Sequence, residues 1–372
     1  MITCNSERYA RFLERAWDKK VPLMVYGPPG IGKSQVPREF FNDLNSKSGD
    51  GRRYSEWAAL SKEEKLDAIS NPQKYFIFAD MRIAGMDATD LRGLPKLESE
   101  YIVSTPYSWV SYFTSPGSKG VIFFDEINLA PPMIAAQAYE IILDRTIADR
   151  RLSDGVLVIG AGNRAKDAAY TYPMPAPLKD RFCEIELVCE QKAWVEWASK
   201  HHVNPYLVAF INWKEKYLHT LSDIKVGEEK GSTPRGIVRA STLIEGMKIT
   251  DDFVFDLISS SCGEEFAVEF NGFINVFKEL SWDELFADPT LARKLGNDKC
   301  WAVCGGLEEQ FIKDKNNIEK ILQVAFNLKR DFAVVAIMIL YSNHKAEFLK
   351  AIRGKPSFRK IATDYGFVFM ES

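Results

Sequence analysis

The sequence predicts an α/β fold, in which a doubly wound sheet of parallel strands is covered by helices on both faces and followed by an all-helical part. Five short apolar runs punctuate the first half of the chain. Most of them are continuous rather than alternating, as expected for strands buried on both faces. The segments between the runs are long enough for crossover helices. No convincing strand follows Cys189, so the second half is predicted to be helical.

The elements of the α/β part can be assigned in chain order. Apolar residues recur at helical spacing between Tyr9 and Trp17, which indicates an amphipathic first helix. Pro131–Leu143, which contains Met133 and Ile141, is long enough to be one of the crossover helices. The predicted strands are Leu23–Tyr26, Tyr75–Asp80, Val121–Asp125, Val156–Gly160 and Glu184–Val188.

The helical half is divided by prolines and by changes in composition. A proline suits the first position of a helix, where its missing N–H is not needed. The predicted segments are helices on either side of Asn204-Pro205, a helix from Pro234, a helix over 264–277, a linker or irregular segment over Asp283–Lys299, and helices near 316–330 and 331–353. Three domains follow from this pattern: an α/β domain at 1–190, a helical domain at 191–280 and a helical extension at 281–372.

Composition excludes several classes of protein. The 48 lysines and arginines are outnumbered by 51 acids, so no global basic excess indicates nucleic-acid binding. Cys300 and Cys304 have no second pair to complete a zinc site, and reduced thiols in a cytoplasmic protein are expected. The first residues contain no apolar signal-peptide region. The longest apolar run, Phe332–Tyr341, is about half the length of a membrane span, so the sequence predicts a soluble protein without a membrane partner.

A glycine-rich segment follows the first predicted strand and matches the pattern G-x-x-x-x-G-K-[ST]. Its glycines let the backbone N–H groups turn inward towards a phosphate, and the helix that follows adds its positive N-terminal end. Lys33 would reach the β- and γ-phosphates of a nucleotide, and the Ser34 hydroxyl would hold Mg²⁺. A chance glycine–lysine turn is the alternative. The predicted nucleotide-binding residues are Gly27, Pro28, Pro29, Gly30, Ile31, Gly32, Lys33, Ser34 and Gln35.

Two acids end the third predicted strand. Asp125 would orient the Mg²⁺ shell together with Ser34, and Glu126 would act as the general base that polarises the attacking water. A buried strand that delivers carboxylates at its C-terminal end suits the crevice where α/β sheets bind ligands. The alternative for an isolated apolar-Asp-Glu string is a strand that ends in a solvated turn.

Three further residues are candidates for contact with the phosphates. Asn163 follows the fourth strand and could hydrogen-bond the water or the γ-phosphate, although asparagine is also common in turns after glycine. Arg181 precedes the fifth strand, where its guanidinium is better placed for a neighbouring subunit's nucleotide than for its own; a surface pair with Asp180 is the alternative. Arg235 opens a helix and could fold back onto the γ-phosphate, or it could simply be solvated.

The order of these motifs is that of the AAA+ ATPases, and within them the chain resembles the MoxR group. The resemblance covers roughly residues 20 to 277. It is carried by the Asp125-Glu126 pair with the E-I-N-L-A-P-P segment that begins at Glu126, by A-G-N-R ending at Arg164, by Leu178-x-x-Arg181-Phe182 and by Ser232-x-Pro234-Arg235.

The resemblance implies a five-stranded sheet in the order 5-1-4-3-2, a helical lid, and a ring of about six subunits that binds ATP between neighbours. It also implies ATP and Mg²⁺ as cofactors, with roles for Lys33, Ser34, Asp125, Glu126, Asn163, Arg181 and Arg235 that agree with those argued from the residues. The arginine that reaches into the neighbouring site could instead be one of four others near the expected interface, Arg145, Arg150, Arg151 and Arg164.

The segment from Ala84 to Tyr112 is longer than a simple crossover between the second and third strands. In the AAA+ and MoxR resemblance, this is where a hairpin is inserted and faces the pore of the ring. The aromatic residues of the segment could grip an extended substrate chain or pack against the neighbouring subunit. These residues are Tyr101, Tyr107, Trp109 and Tyr112.

The sequence therefore predicts an ATP-hydrolysing machine that remodels or assembles partner proteins as a homo-oligomeric ring. The resemblance implies a client protein, often one with a metal-ion-dependent adhesion domain. A motor acting on nucleic acid is the alternative, indicated by six basic residues between Lys345 and Lys360. A nucleotide-dependent switch that rarely hydrolyses is a third hypothesis, which the intact Glu126 disfavours.

Overall fold

A computed structural model describes residues 1–164, 172, 174, 179–220, 230–278 and 280–365. Leu178, which belongs to one of the motifs that carry the resemblance, lies outside the described residues. The chain divides into two compact units, Met1–Val188 and Cys189–Ser372, and we describe each unit by itself. The domain boundaries near residues 190 and 280 stay predictions.

The first unit is built on a parallel sheet that contains seven strands among the described residues. The strands of the sheet are β1 (Ile2–Cys4), β2 (Leu23–Tyr26), β3 (Arg53–Glu56), β4 (Tyr75–Arg82), β7 (Lys119–Asp125), β10 (Gly155–Gly162) and β11 (Cys183–Leu187). They lie in the order β1-β11-β2-β10-β7-β4-β3. The five predicted strands are β2, β4, β7, β10 and β11, and they occur in the order 5-1-4-3-2.

The prediction of a five-stranded sheet is wrong in strand number, because the sheet has two further strands, one at each edge. β1 is only three residues long, so it shows no periodicity. β3 reads R-Y-S-E and pairs on one side only, with β4. Because an edge strand does not have to be apolar on both faces, β3 lacks the continuous apolar run that revealed the central strands.

Helices cover both faces of this sheet, which confirms the doubly wound α/β fold. On one face, the Phe41 ring contacts the Phe76 ring of β4 and the Trp17 ring, with centroids 6.1 and 5.3 Å away. The opposite face carries Ile77 and Ile122 into a separate core with Tyr139. The helices are α1 (Ser6–Lys19), α2 (Gln35–Ser48), α3 (Lys62–Ser70), α4 (Ala88–Arg92), α5 (Ser108–Thr114) and α6 (Pro132–Asp144).

Two small hairpins stand outside the main sheet. The first lies inside the predicted insert and pairs β5 (Leu94–Glu98) with β6 (Tyr101–Thr105) in antiparallel register. The second pairs β8 (Thr146–Ile147) with β9 (Arg150–Arg151), directly after α6.

The second unit is helical, and its described residues contain no strand, as predicted. Its buried apolar residues form two clusters, one drawn almost entirely from 194–274 and the other from 285–365. The helices are α7 (Gln191–Lys200), α8 (Pro205–Trp213), α9 (Pro234–Leu243), α10 (Asp252–Cys262), α11 (Glu264–Lys278), α12 (Trp282–Ala287), α13 (Asn297–Lys313), α14 (Ile318–Asn327), α15 (Arg330–Ile352) and α16 (Ser357–Asp364).

Asp283–Lys299, predicted as a linker or an irregular segment, is not a linker but a series of short helical pieces. The segment contains most of α12, a 3-10 turn at Pro289–Lys294 and the start of α13. These pieces are short and carry many charges, so the sequence shows little periodicity there. Leu285 and Ala292 are nevertheless buried in the second apolar cluster, which explains why the segment is ordered into turns.

Within the described residues, no single helix has the length and apolar composition to cross a membrane. The two parts of α15, Arg330–Tyr341 and His344–Ile352, meet that test only when taken together, and they are bent by 110°. The six cysteines are free thiols. No group of three His, Cys, Asp or Glu side chains that could hold a metal ion occurs in the part of the chain that the structure describes.

Candidate active site

The candidate site lies where three neighbouring strands of the sheet end. β10 pairs with β2 on one side and with β7 on the other, so the C-terminal ends of all three strands meet at one edge. Gly27 N–H donates to the Gly162 carbonyl (3.2 Å), and Ile127 N–H donates to the Ala161 carbonyl (2.9 Å). The glycine loop and the acidic turn after β7 are therefore both fastened to the end of β10.

The loop after β2 has the backbone that its glycines predict. Gly30 and Gly32 have φ values of 80° and 96°, a region that other residues rarely adopt. A Cβ at Gly27 would lie 2.8 Å from the Leu187 carbonyl oxygen, so only glycine fits there. α2 begins directly after the loop, and the Ser34 side chain at its N-cap makes no capping hydrogen bond. The Ser34 hydroxyl is thus not committed to its own helix.

Lys33 is buried, and its ammonium connects the loop to the end of β10. The Lys33 Nζ donates to the Gly27 carbonyl (2.8 Å), the Pro28 carbonyl (3.0 Å) and the Asn163 Oδ1 (2.9 Å). A buried ammonium requires such partners, because desolvation of an unpaired charge is costly. The structure therefore places two of the predicted site residues, Lys33 and Asn163, in direct contact.

The acidic pair at the end of β7 has an unusual backbone. Glu126 has a φ of 56°, in the left-handed region, and it is not a glycine. Such a conformation costs on the order of 1–3 kcal/mol and is found preferentially at functional sites. It is held by two hydrogen bonds: Glu126 N–H donates to Asp125 Oδ1 (2.9 Å), and Leu129 N–H donates to the Glu126 carbonyl (2.9 Å).

Asn128 fixes the position of Asn163 and was not predicted as a site residue. Its Nδ2 donates to the Asn163 carbonyl (2.7 Å), and its Oδ1 accepts from the Asn163 N–H (3.0 Å). Both residues are buried. Gly162 is required here as well, because a Cβ at that position would lie 2.7 Å from Asn128 Oδ1. The sequence could have indicated Asn128 as a site residue, because it lies only two residues after Glu126.

We expect Asn128→Ala to destabilise the first unit. The substitution leaves the buried N–H and carbonyl of Asn163 without partners, at a cost of about 1–3 kcal/mol for each group. Urea unfolding measures the loss, and Asn42→Ala, which alters an exposed asparagine on α2, serves as the matched control. An Asn128→Ala protein as stable as the control would show that the two hydrogen bonds do not hold the end of β10.

A second pair that sequence reasoning missed lies one strand further along the sheet. Arg38 on α2 donates from Nη2 to Asp80 Oδ2 near the end of β4, and its Nε lies 3.6 Å from Glu56 Oε2. Burial raises the pKa of the Asp80 carboxyl, the Arg38 charge opposes this, and the charge of Asp125 adds to it. The charge of Asp125 is thus close enough to act on the Asp80 carboxyl.

The candidate arginines differ in how they are used within the chain. Arg145 donates to the carbonyls of Val156 and Ser153 (both 2.8 Å), which fastens the turn between α6 and β10. Arg164 forms an ion pair with Glu186 on β11 at 2.9 Å, with only 17% of its side chain exposed. The remaining three candidates, Arg150, Arg151 and Arg181, are exposed.

Arg235 lies in the second unit. It is an exposed residue in the first turn of α9, which begins at Pro234 as predicted and is capped by the Thr233 side chain. The structure brings Lys33 and Asn163 into contact and places Ser34, Asp125 and Glu126 at the same edge of the sheet. The catalytic roles of these residues, Arg181 and Arg235 stay predictions.

The predicted insert contains a hairpin, but its aromatic residues do not share one environment. Trp109 and Tyr112 are buried in the core of their own unit, so they cannot grip a substrate or pack on a neighbour. Tyr101 and Tyr107 are exposed. Trp109 and Tyr112 lie on α5, which packs against the sheet, and the sequence did not separate this helix from the hairpin.

The sequence matches no protein-family model and no curated protein. Many solved structures match the chain, and the following two are examples among those that match over most of it. A point mutant of Thermotoga maritima RuvB has 13% sequence identity and a TM-score of 0.31, covering 93% of this chain and 85% of its own. NtrX from Brucella abortus in complex with ATP has 13% identity and a TM-score of 0.34, covering 92% and 68%. Both TM-scores are low, so neither likeness supports a conclusion about the site.

Proposed function

We propose that this chain is a Mg²⁺-dependent ATPase of the AAA+ class, similar to the MoxR group, that works as a ring and remodels or assembles a partner protein. The contact between Lys33 Nζ and Asn163 Oδ1 carries the proposal. It joins the phosphate loop to the strand end that carries the polar sensor residue, with the Asp125-Glu126 turn fastened to the same strand. A glycine–lysine turn formed by chance has no reason to meet these two elements.

The residues present fit a nucleoside triphosphate and its metal. The loop from Gly27 to Ser34 has the glycine conformations and the buried ammonium that a phosphate cradle needs. Ser34 and Asp125 would supply oxygen ligands of the kind that Mg²⁺ prefers. When bound, Mg²⁺ supplies positive charge to the phosphate oxygens.

The chain's own side chains then divide the chemistry between them. When nucleotide binds, Lys33 would give up contacts with its present acceptors, Asn163 Oδ1 among them, to hold the β- and γ-phosphates. Asn163 would then present its side-chain amide to the γ-phosphate or to the water. Glu126 takes the proton of the attacking water as general base. Arg181 from a neighbouring subunit stabilises the charge that develops on the transferred group, and Arg235 contacts the γ-phosphate and links hydrolysis to movement of the helical lid.

The insert hairpin is the part of the chain that we assign to client contact. Leu97 and Ile102 pair directly across β5 and β6, and their side chains are 72% and 71% exposed. Gly93 fixes the base of the hairpin, because a Cβ there would lie 2.3 Å from the Thr105 carbonyl oxygen. A rigid base with an apolar pair near its turn suits contact with an extended polypeptide.

Turnover measured against protein concentration tests the proposed function. A site completed by a neighbour predicts that ATP hydrolysis per subunit rises steeply as the ring assembles, and that EDTA abolishes it. A rate per subunit that is constant from the monomer upwards would contradict a shared site. Absence of both ATP binding and hydrolysis at every concentration would reject the ATPase itself.

One observation favours a motor acting on nucleic acid as the second candidate. The basic residues between Lys345 and Lys360 are all exposed, and the one acid among them, Glu347, is paired with Lys315 at 2.7 Å. Contacts with phosphates would release counterions, so stimulation of the ATPase by DNA should fall steeply between two salt concentrations. Equal rates with and without DNA at low salt would leave the protein-remodelling function.

A further inference from the structure

Asp80 lies on the same face of the sheet as the proposed metal ligand Asp125. The register pairs Asp80 of β4 with Phe123 of β7, and Arg82 with Asp125. Because side chains alternate between the two faces, Phe123 and Asp125 share a face with Asp80. This is the face covered by α2, since Phe76 of β4 packs against Phe41 of that helix.

Arg38 connects Asp80 to the start of α2. The Arg38 N–H donates to the Ser34 carbonyl (3.3 Å), so Arg38 lies one helical turn after the predicted metal ligand. From there its guanidinium donates to Asp80 Oδ2. The Ser34 backbone and the Asp80 carboxylate are therefore joined through a single residue, which fixes the distance between β4 and the end of the phosphate loop.

The second oxygen of the Asp80 carboxylate accepts no hydrogen bond from the described residues. Asp80 Oδ1 is buried and has no hydrogen-bond partner among the described residues. A buried acceptor without a partner is uncommon in a folded protein and calls for an explanation. Arg38 satisfies Oδ2 only, and Asp125, which also affects the pKa of the Asp80 carboxyl, is an acid and cannot donate when ionised.

We propose that Asp80 is a positioning residue for the metal, in which Oδ1 accepts a hydrogen bond from a water bound to the Mg²⁺ that Ser34 and Asp125 hold. This rests on the proposed ATPase function. Mg²⁺ keeps several of its waters when it binds to proteins, and it needs only one or two direct protein ligands. Arg38 fixes the carboxylate and cancels its charge, so the pair orients the water without becoming a further charged ligand.

Asp80→Asn tests the proposal through the affinity for the metal. The amide oxygen of the asparagine can still accept from Arg38. Its NH₂ group then replaces Oδ1 and faces the water as a donor instead of an acceptor. Loss of an outer-shell partner costs on the order of 10–100-fold in metal affinity. We therefore expect Mg²⁺ to be required at a roughly 10–100-fold higher concentration for tight binding of a fluorescent ATP analogue, with metal-free binding of the analogue unchanged.

Two further variants separate positioning from a structural role. Asp50→Asn is the control. Asp50, like Asp80, is paired with an arginine, but it also contacts Lys119, which lies at the opposite end of β7. It should keep the wild-type Mg²⁺ requirement. Should Asp80→Asn fold poorly, Arg38→Met combined with Asp80→Asn removes both partners and avoids a buried unpaired guanidinium. The double variant should show the same raised Mg²⁺ requirement.

The outcomes for the proposed ATPase function and for the positioning role of Asp80 can be distinguished. If wild-type protein does not bind the ATP analogue with Mg²⁺, the proposed function fails. If wild type binds and the Asp80 variants need no more Mg²⁺ than wild type, the positioning role is overturned while the ATPase stands. Equal weakening of analogue binding with and without Mg²⁺ would show a purely structural pair and would also overturn the role.

Discussion

Glu126→Gln is expected to bind ATP with near wild-type affinity and to hydrolyse it about 10²–10⁴-fold more slowly. The substitution keeps the size of the side chain and the left-handed backbone that places it, so the turn after β7 should be unchanged. It removes only the ability to accept a proton from the attacking water. Single-turnover hydrolysis of radiolabelled ATP measures the chemical step, and equilibrium binding of the same nucleotide measures affinity.

A matched control distinguishes loss of the base from loss of a charge. Glu140→Gln neutralises an exposed glutamate on α6 in the same unit and should leave turnover unchanged. A Glu126→Gln protein that turns over ATP at the wild-type rate would reject Glu126 as the base. The same variant would also serve as a trap for the client, because a ring locked with ATP should hold its partner long enough for identification.

The sequence predicted the parts of the site that lie at single strand ends. A continuous apolar run followed by a glycine loop or by two acids can be recognised in the sequence alone. The strand, the turn and the binding residues are neighbours in the chain. The bounds of β2, Leu23–Tyr26, were predicted to the residue. The remaining central strands were predicted within two residues at each end.

The contacts between strand ends could not be predicted in the same way. Asn128 and Asn163 are 35 residues apart, and Arg38 and Asp80 are 42 apart. Their partnership depends on register and side-chain direction, and neither leaves a local pattern. The same limit applies to Trp109 and Tyr112. Aromatic side chains suit a surface that grips a substrate, but these two are buried against the sheet.

The structure also reduces the number of arginines that could act on a neighbouring subunit in the proposed ring. Arg145 donates to two carbonyls of its own chain, and Arg164 is paired with Glu186. Removing either arginine from its partners would leave partly buried polar groups unsatisfied, which opposes a role in another subunit. Arg181 is exposed and lies two residues before β11, so we still favour it, with Arg150 and Arg151 on the β8–β9 hairpin as the alternatives.

Arg181→Ala is expected to lower turnover by about 10³–10⁵-fold if Arg181 completes the neighbour's site. The decisive result is recovery on mixing. A ring that contains both Arg181→Ala and Glu126→Gln subunits has some interfaces in which an intact Glu126 faces an intact Arg181. For random 1:1 assembly of head-to-tail contacts, about a quarter of the interfaces should be complete. Two inactive proteins should therefore regain roughly that share of wild-type ATPase activity when mixed.

The same mixing experiment with Arg150→Ala and Arg151→Ala decides between the three exposed arginines. A residue that acts only in its own subunit gives no recovery, because every site with an intact base then lacks its own arginine. A residue that acts in the neighbour recovers, and one with no role is active before mixing. If Arg181→Ala is inactive but mixing restores nothing, Arg181 serves its own site and the neighbour's charge must come from the β8–β9 hairpin or from elsewhere. The catalytic unit is then defined by which pair of inactive variants complements, and no single-chain measurement can provide that assignment.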